Sequence, residues 1–220
     1  MIEAVLFDCD GTLADSDPMI TASLVDALRD LGYTTTAKAV RTVIGPPLSE
    51  MAEALVGPLT AEQHTQLHER YFAHAVPRRP EVRPIAGAQA LLDALRARGI
   101  RLAMVTNKVE ASTAAQLKQF GWEDVFAVVV AADSVSNPKP APDPAIEALR
   151  RLGVAPGDAA FVGDTESDTS CACDAGIPLI IGLVGTRDAA TLRANGATHA
   201  VNSLDEVLPL LIGAATGSAS

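Results

Sequence analysis

Near its start the chain reads Val5-Leu6-Phe7-Asp8-Cys9-Asp10-Gly11-Thr12-Leu13. The apolar run before Asp8 is typical of a buried parallel strand, and the Gly-Thr pair ends that strand. Asp8 and Asp10 therefore lie at the carboxyl end of a strand, where open α/β sheets bind ligands. Carboxylates are costly there unless a cation or a reacting substrate compensates them, which favours a chemical site over a simple turn.

Strand-like and helix-like segments alternate over most of the 220 residues, which predicts an α/β fold with a doubly wound parallel sheet. Helices are predicted from apolar residues at helical spacing, as in 88–95, and from end signals such as Asp143-Pro144 and Gly153. The predicted strands are 4–8, 101–106, 127–130, 159–162, 179–181 and a short one near 199–201.

Residues 17–83 break this alternation because they contain helical patterns only. Helices are expected after Asp17-Pro18, over 48–55, and after Thr60, which forms a capping box with Gln63. The sequence thus predicts an all-α cap domain inserted after the first strand, in a position to act as a lid.

The remaining residues divide around this insertion. Residues 1–16 and 84–213 are expected to form the core domain, and the Pro- and Arg-rich segment 77–84 is expected to be the second hinge. Residues 214–220 are small and polar, which predicts a disordered tail.

Composition restricts the partners and the compartment. A net charge of −10 argues against nucleic acid and against an anionic membrane surface, because both are bound by clustered Lys and Arg. No secretory signal and no apolar stretch near the ~18 residues of a membrane span is present. The three cysteines, Cys9, Cys171 and Cys173, have no zinc-like spacing, and we predict a reducing, cytoplasmic location.

Three further polar groups follow predicted strands. Thr106-Asn107-Lys108 ends one apolar run, Lys139 lies between two prolines after the next, and Gly163-Asp164-Thr165-Glu166-Ser167-Asp168 ends a third and begins a helix. All three groups are expected at one edge of a parallel sheet. For Lys108, membership in this group and a plain exposed helix-start lysine are equally favoured.

The residue types at this edge suit phosphoryl transfer. A carboxylate such as Asp8 can accept a phosphoryl group, and Asp10 can move protons to and from the reacting oxygens. Asp8 with Asp164 can hold Mg²⁺, which prefers hard oxygen ligands. Thr106, backbone N–H groups at Asn107, and Lys139 are candidates for binding the phosphate oxygens.

In order and residue type, these segments resemble the four motifs of the haloacid dehalogenase superfamily. The resemblance covers nearly the whole chain, includes a small α-helical cap, and is greatest for the phosphoglycolate phosphatase-like branch. It implies that Asp8 is the nucleophile and a metal ligand, and that Asp10 is the general acid/base and offers its backbone carbonyl to Mg²⁺. It further implies that Thr106, Asn107 and Lys139 hold phosphate, that Asp164 completes the metal site, and that Asp168 positions a metal-bound water or Lys139. For Asp168, simple stabilisation of a helix N-terminus is an alternative.

The predicted function is a Mg²⁺-dependent phosphatase that hydrolyses a small phosphorylated metabolite through an aspartyl phosphate, with phosphoglycolate as the leading substrate. The protein is expected to be a monomer or a homodimer. The alternatives are a β-phosphoglucomutase-like sugar phosphomutase, a pyrophosphatase, a phospho-accepting receiver or binding module, and a catalytically silent scaffold. The mutase is disfavoured because segment 44–50 lacks the arginine of that relative's cap loop.

Two other patterns, a pair of histidines and a group of arginines, are interpreted as solvent-facing residues. His64 and His68 have the i, i+4 spacing of a zinc site, but no Glu lies between them, so an exposed cap-helix face is favoured. Arg78, Arg79 and Arg83 are predicted to be solvated linker charges, and a role in attracting an anionic substrate is left open.

Overall fold

The computed structural model describes residues 1–216. In chain order the strands are β1 (Ala4–Phe7), β2 (Ala14–Asp15), β3 (Arg83–Pro84), β4 (Arg101–Val105), β5 (Val128–Val130), β6 (Ala159–Gly163), β7 (Leu179–Leu183) and β8 (His199–Val201). Six of them form one sheet in the order β5-β4-β1-β6-β7-β8, and every neighbouring pair is parallel. The prediction of a doubly wound parallel sheet is confirmed.

The helices are α1 (Asp17–Asp30), α2 (Ala37–Val43), α3 (Leu48–Val56), α4 (Ala61–Arg78), α5 (Ala88–Arg96), α6 (Glu110–Phe120), α7 (Asp143–Leu152), α8 (Glu166–Asp174), α9 (Ala189–Ala194) and α10 (Val207–Thr216). Successive residues of a strand face opposite sides of the sheet, so β1 contributes to two apolar layers. Phe7 packs with residues of α5 and α10, whereas Leu6 packs with residues of α7, α8 and α9.

The register of the sheet brings the strand ends to one level. Phe7 of β1 pairs with Met104 of β4 on one side and with Val162 of β6 on the other. The residues that follow these three central strands therefore emerge side by side at the carboxyl edge, where the sequence predicted a site.

Helices α1 to α4 form the inserted all-α cap that the sequence predicted. They have an apolar core of their own, in which Leu24, Leu28, Val40 and Leu67 are fully buried. Helix α2 was not predicted, because Val40 is its only buried residue and a single apolar position gives no helical period.

The connection between cap and core differs from the predicted hinge. Strands β2 and β3 pair antiparallel, so the two linkers form a short ribbon rather than two separate hinges. Helix α4 continues through Pro77 to Arg78, so the first part of segment 77–84 is helical. The domain boundaries themselves remain predictions.

The carboxyl terminus is covered only in part. Helix α10 runs to Thr216, three residues into the predicted tail, and residues 217–220 lie outside the described residues. Among residues 1–216, no helix is long and apolar enough to span a membrane.

Candidate active site

The residues that directly follow β1 and β4, Asp8 and Thr106, are held in place by backbone hydrogen bonds to the neighbouring strands. The N–H of Asp8 donates to the carbonyl of Val162 at 2.9 Å, and the N–H of Thr106 donates to the carbonyl of Val130 at 3.0 Å. Asp8, Thr106 and, after β6, Asp164 are all buried. The three predicted strand-end residues are thus brought together at one edge.

Lys139 joins two of the predicted carboxylates. Its Nζ atom lies 2.6 Å from Oδ1 of Asp8 and 2.6 Å from Oδ1 of Asp168, and it donates to the carbonyl of Val105 at 2.7 Å. The side chain is 1% exposed. Three acceptors use all three N–H donors of the ammonium, so its position is fully determined.

The electrostatics of this group depend on its burial. Burial lowers the pKa of Lys139, but Asp168 and Asp8 raise it by more, so the ammonium remains charged. Burial is also the main reason that the pKa of Asp8 is raised to about 7, although Lys139 opposes the effect. Removing one member of such a buried group typically costs about 3–5 kcal/mol, because an uncompensated charge remains.

Asp168 has two structural roles. Its Oδ1 atom binds Lys139, while Oδ2 accepts hydrogen bonds from the N–H groups of Asp164 and Thr165 and from the Thr165 hydroxyl, at 3.2, 3.0 and 2.7 Å. The carboxylate therefore holds Lys139 and also stabilises the N-terminus of α8. The contact with Lys139 agrees with one prediction for Asp168, and the hydrogen bonds at the start of α8 agree with the alternative, stabilisation of a helix N-terminus.

Asp164 has an oxygen with no partner. The Thr12 hydroxyl donates to its Oδ1 at 2.9 Å, while the buried Oδ2 accepts no hydrogen bond from residues 1–216. Burial raises the pKa of Asp164 well above its ordinary value, and Asp168 and Asp8 raise it further. Gly11 approaches this carboxylate so closely that a Cβ there would lie 2.3 Å from Oδ2.

These acids fit a divalent cation. Carboxylate oxygens of Asp8, Asp164 and Asp168 lie within 4.8 Å of one another. Both oxygens of Asp168 already accept hydrogen bonds, so Asp8 and the unpartnered Oδ2 of Asp164 are the available ligands. A buried set of hard carboxylate oxygen donors suits Mg²⁺.

The carboxylate of Asp10 points elsewhere and meets a lysine. Its Oδ1 atom accepts a 2.5 Å hydrogen bond from the Ser16 hydroxyl and lies 2.8 Å from Nζ of Lys108. The Lys108 side chain is 12% exposed, so it belongs to the site and is not a surface lysine. Burial lowers the pKa of Lys108, but Asp10 and neighbouring groups raise it by more, which keeps it cationic.

Asn107 connects three parts of the site. Its side-chain Nδ2 donates to the carbonyl of Gly45 in the cap and to the carbonyl of Lys139, each at 2.9 Å. Its backbone N–H has no hydrogen bond to the described residues and remains available to a ligand. The hydroxyl of Thr106 accepts the N–H of Lys108 at 3.2 Å, which shapes the same turn.

A second contact between core and cap involves Arg187, which follows β7. Its guanidinium bonds Glu166 of α8 at 2.6 and 3.1 Å and donates to the carbonyl of Ile44 in the cap at 2.7 Å. This contact could not be predicted from the sequence, because Arg187 and Ile44 are 143 residues apart and belong to no shared motif.

A cavity of about 340 Å³ lies between the strand ends and the cap. Asp8, Asp10, Thr106 and Lys139 line the core end. The cap end is mainly apolar, and its wall includes Ile20, Leu48, Met51 and Phe72. The size suits a small-molecule site.

The cysteines and His64 do not line this cavity, whereas His68 is half-buried and does, so the predicted exposed face is wrong for His68. Cys9 and Cys171 are buried free thiols, and Cys173 is exposed. His64 contacts Glu53, and His68 contacts Ser49, each through Nε2. No group of three metal-ligating side chains within the described residues includes either histidine.

Together the sheet, the inserted cap and the strand-end carboxylates define a capped α/β enzyme. The model of the family "Haloacid dehalogenase-like hydrolase" matches residues 5–181, and the chain belongs to this family. Membership confirms the resemblance drawn from the motifs and favours an enzyme over a receiver or binding module.

Named relatives agree with this assignment. Phosphoglycolate phosphatase from Neisseria meningitidis is 32% identical, over 94% of this chain and 92% of its own length. Phosphoglycolate phosphatase from Chromobacterium violaceum is 33% identical, over 96% of both chains. The crystal structure of a predicted phosphatase from Clostridium acetobutylicum superimposes with a TM-score of 0.87 at 27% identity, covering 97% of this chain and 99% of that one.

Proposed function

We propose that the protein hydrolyses a small phosphomonoester through an aspartyl phosphate on Asp8, with Mg²⁺ as cofactor. One observation carries this proposal: Asp8 contacts the buried cation Lys139, and its carboxylate lies within 4.8 Å of the carboxylate of Asp164, whose Oδ2 has no partner among the described residues. A carboxylate in this position can face both a metal ion and an anionic substrate. The enzyme class, a phosphoric monoester hydrolase, is confirmed by family membership and by the phosphatases among its relatives.

The first step forms the covalent intermediate. A carboxylate oxygen of Asp8 attacks phosphorus, and the bond between phosphorus and the ester oxygen breaks. Asp10 protonates the departing oxygen through Oδ2, since Ser16 and Lys108 both contact Oδ1. When bound by Asp8, Asp164 and the backbone carbonyl of Asp10, Mg²⁺ supplies positive charge that lets the carboxylate and the phosphate approach each other.

The second step releases phosphate. Asp10, now ionised, takes a proton from water, and the water oxygen attacks phosphorus. The bond between phosphorus and Asp8 breaks, which regenerates the carboxylate. One residue thus serves as acid and then as base, as a two-step hydrolysis requires.

The remaining residues hold the phosphoryl oxygens. The Thr106 hydroxyl and the free N–H of Asn107 are the hydrogen-bond donors proposed for this task. The Lys139 ammonium, whose three N–H groups are already used, contributes its positive charge beside Asp8. Asp168 acts indirectly, because it fixes Lys139.

The proposed substrate is phosphoglycolate, in agreement with the names of the two relatives. The sugar phosphomutase alternative has no support from the cap loop, because Gly45, Pro46, Pro47, Leu48 and Ser49 line the cavity and none of them is an arginine.

The intermediate gives a direct test. The enzyme is mixed with phosphoglycolate and Mg²⁺, quenched in acid during turnover, and digested, and the peptide containing Asp8 is analysed by mass spectrometry. A phosphoryl adduct on Asp8 is expected in the wild type, and Asp8→Asn should show neither adduct nor turnover. Full phosphate release by Asp8→Asn would contradict the mechanism.

A further inference from the structure

The three arginines of segment 77–84 have different environments. Arg78 bonds Asp26 of α1 at 2.5 Å, and Arg83 is exposed and donates to the carbonyls of Pro80 and Val82. Arg79 is half-buried, lines the active-site cavity, and forms no ion pair with any residue in 1–216. One of the three cations of this segment therefore lines the site.

Arg79 also differs from the other cations of the cavity in its lack of an ion-pair partner among the described residues. Within the described residues, the other two cationic side chains that line it are Lys139, which contacts Asp8 and Asp168, and Lys108, which contacts Asp10. His68 also lines the cavity, but burial lowers its pKa, so its imidazole is neutral at pH 7. Arg79 alone among them has a charge that no protein carboxylate compensates.

Tyr71 lines the same cavity as Arg79, Asp10 and Lys108. Burial raises the pKa of Tyr71, Asp10 raises it further, and Lys108 and Arg79 lower it. The phenol therefore lies within electrostatic range of all three charged groups. It remains neutral at physiological pH, so its hydroxyl can donate a hydrogen bond to an anion near Arg79.

We propose that Arg79 is a specificity-determining residue that binds a second anionic group on the leaving part of the substrate. The substrate class is then phosphomonoesters with a second negative charge, of which the carboxylate of a phosphorylated hydroxy acid is the smallest example. This inference rests on the proposed phosphatase function and assigns a cap residue to substrate choice.

The residues around Arg79 favour a substrate that carries a second anionic group. A carboxylate that enters the cavity loses water and meets an apolar cap wall, and the two lysines are already paired. A buried charge is tolerated only where a partner compensates it. Arg79 is the unpaired cation available among the described lining residues, and its planar fork matches a carboxylate.

The test compares two substrates that differ only in the second charge. Phosphoglycolate carries a carboxylate where ethyl phosphate carries a methyl group, and kcat/KM is measured for both with Mg²⁺. The wild type should prefer phosphoglycolate. Arg79→Met should lower kcat/KM for phosphoglycolate about 10- to 100-fold more than for ethyl phosphate, and Arg79→Lys should retain part of the preference.

Arg78→Met is the matched control, because Arg78 is the adjacent arginine and pairs with Asp26. It should leave the ratio of the two kcat/KM values as in the wild type. Hydrolysis of both esters with a ratio near one, or an equal loss for both in Arg79→Met, would overturn the inference while leaving the phosphatase intact. Hydrolysis of neither ester would instead refute the proposed function.

Discussion

The two ends of the cavity differ in how their charged side chains are compensated. At the core end, charged side chains pair with each other: Lys139 with Asp8 and Asp168, and Lys108 with Asp10. At the cap end, the wall is mainly apolar, and the one described cation there, Arg79, has no carboxylate partner. The charges at the core end are thus compensated within the protein, whereas the charge of Arg79 at the cap end is not.

This difference predicts that general turnover depends on the core end and that substrate preference depends on the cap end. Substitutions at the core end should reduce turnover of every phosphomonoester, because they alter groups that act on the common phosphoryl group. Substitutions at the cap end or at its contacts with the core should change turnover less and depend more on the substrate. The predictions below test this division, beginning with the largest effect.

Replacing the proposed nucleophile should have the largest effect. Asp8→Asn removes the attacking oxygen charge, and kcat should fall by about 10⁴-fold or more for all substrates. The exposed carboxylate of Asp15 provides the control, since Asp15→Asn should retain activity. Steady-state rates and thermal unfolding of both variants decide the matter. A folded Asp8→Asn protein with near-normal kcat would show that another group attacks.

Removal of the metal should also abolish turnover, and binding can be measured without activity. EDTA should eliminate hydrolysis and Mg²⁺ should restore it. Mg²⁺ should also raise the Tm of the wild type, because a ligand that binds the folded state stabilises it. The rise should shrink in Asp164→Asn, which loses the unpartnered acceptor Oδ2. An equal rise in Tm for both proteins would show that Asp164 does not bind Mg²⁺.

Much of the core end could be predicted because its residues are encoded locally. Asp8, Thr106 and Asp164 each follow an apolar run, and parallel pairing then brings the ends of such runs to one edge. The exact contacts could not be predicted in this way. The pairing of Lys139 with Asp8 joins residues 131 positions apart and depends on the folded loop geometry.

The cap end was less predictable for the same physical reason. Apolar spacing predicted α3, and end signals predicted α1 and α4. Helix α2 has only one buried residue, so its sequence has no helical period. The strands β2 and β3 have two residues each, which is too short for an alternating pattern. Arg78 and Arg79 look alike in the sequence, and only the folded structure shows that Arg78 pairs with Asp26 whereas Arg79 lines the cavity.

Altering the proposed proton-transfer residue should give an intermediate effect. Asp10→Asn keeps a hydrogen-bond acceptor for Ser16 and Lys108 but cannot exchange protons, so kcat should fall about 10²- to 10⁴-fold. The loss of kcat/KM should be smaller for esters with acidic leaving groups such as p-nitrophenol, which need little protonation. The check is kcat/KM for aryl and alkyl phosphates in both proteins, because this constant reports formation of the aspartyl phosphate, whereas its hydrolysis is common to both classes and also uses Asp10. An identical loss for both classes would argue against a general-acid role.

The smallest effect is expected at the junction between the two ends, where Arg187 bonds Glu166 and the carbonyl of Ile44. Arg187→Met removes these hydrogen bonds but no group that we place in the reaction. A net value of about 0.5–1.5 kcal/mol for such a bond corresponds to a fall in kcat/KM of about 2- to 12-fold. The exposed Arg193 of α9 is the control, because Arg193→Met should leave kcat/KM unchanged.

The substrate dependence of this variant distinguishes its role from that of the core residues. Arg187 positions the loop at Ile44 and Gly45, and Asn107 of the core bonds the carbonyl of that Gly45 at 2.9 Å. Loosening the loop should therefore raise KM more than it lowers kcat, since the phosphoryl-binding groups stay in place. A fall in kcat as large as that of Asp10→Asn would mean that cap closure controls the chemical step, and the division between the two ends would fail.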